Sequence, residues 1–172
     1  KAYHNTVPAE GAVKAGLGHT ISIAKSKDLD GTVLPLAQVD TVMAATAFDK
    51  DDKVVSTLID NAQIRVQFDE DGKVTSDKTA EYKTKVELGE DYGMARVSEI
   101  GKEWFEQIAE LEKWMVGKTV AEIKAMDVKV VDDAHQSVPD VPELTSLVTI
   151  TVEDYIAAVE KAYHNTVPAE GA

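Results

Sequence analysis

The chain has 172 residues, 44% of them hydrophobic, with 10 Gly and 5 Pro. That is enough apolar content for one domain with a real core, and too little Gly and Pro for a disordered chain. The 31 acids outweigh the 18 bases to give a formal net charge of −13, a balance that excludes nucleic-acid and anionic-lipid surfaces as partners because phosphates reward Lys and Arg.

Cysteine is absent, which removes disulfides, thiolate metal sites and cysteine nucleophiles. No apolar run approaches the roughly 18 residues of a membrane span, so no membrane insertion by this segment is expected. The first twelve residues, KAYHNTVPAEGA, recur unchanged from residue 161, an offset of 160. They suit the tail of a helix running into a Val-Pro-Ala-Glu-Gly-Ala linker, and not the start of a domain. The expectation is a tandem array with a domain-sized period, well above the ~20–50 residues of a solenoid repeat. Residues 1–12 are then the tail and linker of a preceding repeat, 13–164 the domain, and 165–172 the linker to a next repeat.

Strand signals dominate the first half: HTISIAKS (19–26), QVDTVMAATAFD (38–49) and KVVSTLIDNAQIRVQFD (53–69). FDKDDKV (48–54) and FDEDGKVTS (68–76) read as hairpin turns, since Asp-Gly between alternating segments favours a tight reversal. Their acids invite a calcium reading, but Asp69, Glu70 and Asp71 lack the further oxygen ligands of an EF-hand loop, and acidic turn chemistry accounts for them.

After the polar stretch 79–94 a long helix is predicted. Val97, Ile100, Trp104, Ile108, Leu111 and Met115 keep i+3/i+4 spacing, and Gly117 supplies a stop. Trp104, Phe105 and Trp114 read as its core seam before they read as an aromatic ligand site. Thr119 and Glu122 form a T-x-x-E capping box for a short second helix. Residues 128–144 read as a strand and a Pro-containing loop. The final element, VTITVEDYIAAVEKAYHN (148–165), is a β-branched run flowing into a helix, with Thr151 as N-cap and Asp154 three residues on. The fold class is α+β: an antiparallel sheet with hairpins in the first half, packed by helices from the second half, ending in a strand–helix unit.

That last junction is where chemistry is expected. Ser146, Thr149 and Thr151 place three hydroxyls just ahead of a helix N-terminus, whose free N–H groups and dipole favour a phosphate. A hydroxyl there can also carry a phosphoester. The plainer alternative is that Thr suits a strand edge and Thr151 caps the helix, with Glu153 and Asp154 already supplying the negative charge.

ELTSLVTIT (143–151) resembles the D-x-x-[ST]-G-A-T-x-T motif of the FMN-binding domain of bacterial electron-transfer flavoproteins. Glu143 matches the Asp, Ser146 the Ser, Thr149 the acceptor Thr and Thr151 the Thr that follows; Leu147 and Val148 replace the Gly and Ala. The stretch 42–60 is similar to the family's hairpin, and 85–126 to its Gly-containing loop, helix and Gly-Lys segment. The resemblance covers most of residues 13–160, and is closest to tandem-domain cell-surface lipoproteins of extracellular electron transfer. It implies FMN joined to Thr149 by a flavin transferase, with Thr145 nearby and Tyr92, Gly93 and Met94 on a loop approaching the flavin. It also implies neighbouring repeats as electron partners, a membrane quinone oxidoreductase as donor, and a cell-surface location anchored through another part of the parent. Such a module is a non-catalytic electron carrier and not an enzyme with its own turnover. The alternative is a structural or adhesive surface repeat that keeps the fold and has lost the flavin. His135 beside Asp132 and Asp133 is read as exposed polar surface before a metal site. No motif of hydrolysis or of a Gly-rich phosphate loop occurs.

Overall fold

The computed structural model describes residues 6–133 and 135–169. Three long antiparallel strands, β1 (Lys14–Ser22), β2 (Leu36–Phe48) and β3 (Val54–Gln67), form the sheet, and a two-residue strand, β6 (Val167–Pro168), joins it beside β1 in the order β3-β2-β1-β6. The helices come later: α1 (Lys85–Leu88), α2 (Trp104–Met115), α3 (Val120–Lys124) and α4 (Glu153–His164). A small ribbon of β4 (Val128–Lys129) and β5 (Val138–Pro139) sits between α3 and α4. The architecture is α+β, sheet first and helices after, closing with a strand, β5, followed by α4.

Period-two alternation selects the inner face of the sheet. Gln38, Val42, Ala44, Thr46 and Phe48 of β2 are buried, as are Thr57, Ile59 and Asn61 of β3, and these positions share one face in the ladder. The Thr46 and Thr57 hydroxyls satisfy each other at 2.8 Å inside the core. Both acidic turns fold as expected from their chemistry. Asp49 Oδ1 accepts the N–H groups of Asp51 and Lys53, and Asp69 Oδ1 those of Asp71 and Lys73. Each Asp mimics the backbone of a turn, so its carboxylate is committed to the chain. Lys14 pairs with Asp52, which tolerates φ 62° in the first turn.

Helix α4 lies on β1 and β2 at a distance that only glycine permits. A Cβ on Gly18 would stand 1.9 Å from the Ala158 carbonyl oxygen, and one on Gly16 1.9 Å from that of Ala162. The G-x-G of β1 and the A-x-x-x-A of α4 therefore form one seam of small residues, with Ala158 and Ala162 fully buried. Asn165 and Lys161 reach from the end of α4 to the Leu17 and His19 carbonyls, at 3.2 and 3.0 Å.

Three local expectations change. The first strand starts five residues earlier than HTISIAKS and ends at Ser22, because the register to β2 runs from Lys14↔Phe48 to Ser22↔Asp40. The long helix does not include Val97 and Ile100. Val97 is 83% exposed, Gly101 adopts φ 64°, and α2 starts only at Trp104, where Glu103 and Glu106 make a capping box. The strand of the closing unit is β5, and the run 148–152 is in no ladder, although Val148, Ile150 and Val152 alternate as buried residues. Its ladder-like tie is one bond from Val152 N–H to the Ser137 carbonyl at 3.0 Å. Val152, not Thr151, is the N-cap of α4, and it makes no side-chain capping bond. Residues 1–5 and 170–172 of the repeated segment lie outside the described residues. Its inner parts attach to this domain: Ala12 is buried, Val167–Pro168 pair with Lys14–Ala15, and Ala169 N–H bonds the Val13 carbonyl.

Candidate functional site

The stretch 141–149 coils before it reaches the 148–152 run. Leu144 and Thr145 N–H bond the Val141 carbonyl, and Leu147 and Val148 N–H bond that of Leu144. Helical spacing then sorts the side chains. Leu144 and Val148 face the core, and Leu147 packs against it. Thr145 and Thr149, four residues apart, open onto a pocket of about 460 Å³. That volume lies within the ~300–1,000 Å³ usual for small-molecule sites.

A second wall comes from the turn after Gly93, whose φ of 76° reverses the chain and presents Met94. Buried Glu103 holds this turn: its two carboxylate oxygens accept the N–H groups of Met94 and Ala95 at 2.9 and 3.1 Å. The third wall is the loop of the β4–β5 ribbon, with Lys129, Val131, Asp132 and His135. His135 Nδ1 lies 2.8 Å from Asp132, and Lys129 pairs with Asp140 at 3.1 Å. Val97, Val138 and Ile150 add apolar surface to a mixed lining that also holds Ser98, Glu99, Lys129, Asp132 and His135.

Gln107 joins the walls, and no motif pointed to it. Its side chain is completely buried on the apolar seam of α2. Its Oε1 accepts the Thr149 N–H at 2.9 Å and the Thr149 hydroxyl at 3.3 Å. Its Nε2 donates to the Ser98 hydroxyl and the Lys102 carbonyl, both at 3.3 Å, and touches Met94 Sδ at 3.6 Å. One amide therefore positions both Thr149 and the Met94 turn. The signal was available: Gln107 sits three residues after Trp104 and four before Leu111, a polar side chain at a core position.

Of the residues expected at the site, Thr149, Thr145 and Met94 line the pocket together. Glu143 and Ser146 are exposed, and neither they nor Thr151 and Gly93 contribute to the lining. Tyr92 packs against the core, with the Lys85 ammonium 4.8 Å from its ring centroid and 5.2 Å from that of Trp104. Burial pushes the Lys85 amine down to about 8 and raises the Tyr92 phenol. The first turn of α4 does not line the pocket, so an anion beside Thr149 would meet Lys129 and His135 and not the helix dipole. Leu147 and Val148, where the flavin motif has Gly and Ala, are likewise outside the lining, so their bulk falls on the core side.

The lining offers the Thr145 and Thr149 hydroxyls and the side chains of Met94, Val131, Val138 and Ile150, while Lys129 and His135 are already engaged by Asp140 and Asp132. Among the described residues no cluster of three or more His, Asp or Glu side chains could hold a metal ion. Comparison of the chain with protein-family models, with curated proteins and with solved structures finds no match.

Proposed function

We propose that this domain is an extracellular flavin-carrying electron-transfer module, one unit of a tandem array, with FMN joined through its phosphate to Thr149 Oγ1. The observation that carries this reading is the Thr149 hydroxyl, open to the pocket while Gln107 fixes its backbone and side chain. Bound FMN would supply the redox chemistry. The chain's part is to hold and shield it. Gln107 orients Thr149, Lys129 and His135 would meet the phosphate in place of Asp140 and Asp132, and Met94, Val131, Val138 and Ile150 would shield the ring from water.

The expected partners are a flavin transferase, neighbouring repeats of the same protein and a membrane quinone oxidoreductase as donor, at the cell surface. Intact mass after co-production with a flavin transferase tests the proposal. A mass increase of one FMN less one water, as a phosphoester requires, that disappears in Thr149→Ala is expected. No increase overturns it and leaves the structural repeat without flavin, and an increase that survives Thr149→Ala overturns Thr149 as the attachment point.

A further inference from the structure

Helix α4 packs on β1 and β2 and α2 on β3, on the side of Val42, Ala44 and Ile59, and α1 touches β3 with the Val86 N–H on Asp60. The ladders bring a second set of side chains together on the opposite face. Leu17 stands across from Ala45 and Ala45 from Leu58, with Ile21, Met43 and Ile64 on the same side. Leu17 and Ile21 are 61% and 62% exposed, and Ala45 is exposed between them and β3. An antiparallel sheet with one solvated face ordinarily turns polar residues outward. This face is apolar, although 28% of the chain is charged. Its one carboxylate along the ladders, Asp60, already accepts the Asn61 and Val86 N–H groups, and His19 is its other ionisable side chain.

We propose that this face is covered by a second copy of the same domain, the adjoining unit of the array, packed sheet against sheet. Two features select that occupant. Copies each carrying −13 repel one another through most of their surfaces, and along its ladders this face holds one carboxylate, Asp60, which already accepts two N–H groups. The second feature is the tether. Val167–Pro168 leave the domain paired to Lys14–Ala15 at the start of β1. With the 160-residue offset, the counterpart of Lys14 in the next unit follows Pro168 by six residues. Six extended residues span at most about 20 Å. Facing sheets pack about 10 Å apart, so the tether holds the two β1 strands within range of a sheet-on-sheet contact. Short tethers of this kind raise the local concentration to about the millimolar range. The inference rests on the array reading and is independent of the flavin.

The chain lacks cysteine, so Ala45→Cys places a single thiol per domain on the face. Thiol labelling is compared in the dilute 172-residue chain and in a two-unit chain joined at the 160-residue offset. Labelling slower by roughly tenfold in the two-unit chain is expected. Adding Leu17→Lys and Ile21→Lys, both at exposed positions, should restore the rate, whereas Val97→Lys on a different surface should leave it slow. Equal rates in the two chains overturn the proposal. So does slowing that the Leu17 and Ile21 variants do not relieve. Labelling that is already slow in the dilute single chain overturns it as well, since a segment of the same chain would then cover the face.

Discussion

Replacing Gln107 by Met keeps the side chain's volume in the core and removes its amide, which isolates the polar contribution. The Thr149 N–H loses its acceptor at 2.9 Å in a part-buried site. An unsatisfied buried donor costs about 1–3 kcal/mol. The bonds to the Lys102 carbonyl and the Ser98 hydroxyl are longer, both at 3.3 Å, and losing them adds at most about 1 kcal/mol. A loss of about 2–3 kcal/mol is expected, which at a urea slope of ~1–3 kcal/mol per molar moves the unfolding midpoint down by about 0.7–3 M. Thr149→Val removes the hydroxyl and keeps the N–H, so the two substitutions share one bond. Their double-mutant cycle should show coupling of about 0.5–1 kcal/mol. A midpoint unchanged in Gln107→Met, or strict additivity in the cycle, refutes the claim that this amide holds Thr149 in place. At temperatures where both proteins are folded, the variant should also take up less FMN at Thr149.

Gly18→Ala tests the seam under α4. To restore an ordinary 3.4 Å contact from 1.9 Å, the helix backbone must give by about 1.5 Å. The overpacking cost of about 1–3 kcal/mol should exceed the ~0.5–1 kcal/mol gained by restricting the unfolded chain, so urea melts should show a net loss; an unchanged midpoint rules the seam out. Glu112, whose Oε1 accepts the Ile59 N–H at 2.6 Å, is pushed up to about 7 by burial, with Asp60 adding repulsion. A carboxyl raised in the folded state binds its proton more tightly there than in the unfolded chain. Its contribution is therefore full below about 4.5 and is lost as pH rises through about 7. Glu112→Gln should flatten that fall, of order 1–3 kcal/mol, in melts across pH 4–8; an unaltered pH profile would show that other groups cause it. Tyr155→Phe strips the partner from the buried Trp104 indole N–H, bonded at 3.0 Å. A loss of about 1–2 kcal/mol with a shift in tryptophan emission is expected, and an unperturbed melt refutes the bond's contribution.

Where a feature depended on near neighbours in the chain, it could be read directly. The two Asp-led turns and the Thr119–Glu122 box are local chemistry, closed within five residues, and both form as their residue types dictate. Thr149 was also legible, as a hydroxyl in a motif-like string. Its neighbours misled where local pattern met a competing local signal. Val97 and Ile100 keep helical spacing, but Gly101 at positive φ and the Glu103 box start the helix later. The alternation of 148–152 is real burial, yet no strand lies beside it to make a ladder.

By itself the sequence determined the order of sheet and helices, the hairpins, the acidic surface, and the pairing of two identical segments 160 residues apart. Tertiary structure decided what meets what. Gln107 reaches Thr149 across 42 residues, and Gly18 accepts the Ala158 backbone from 140 residues away. Such contacts leave no periodicity to read, because their cost and gain arise only when distant surfaces close. The apolar outer face is the same kind of fact. Its alternating residues look like an ordinary buried strand until α2 and α4 are seen to occupy the other side.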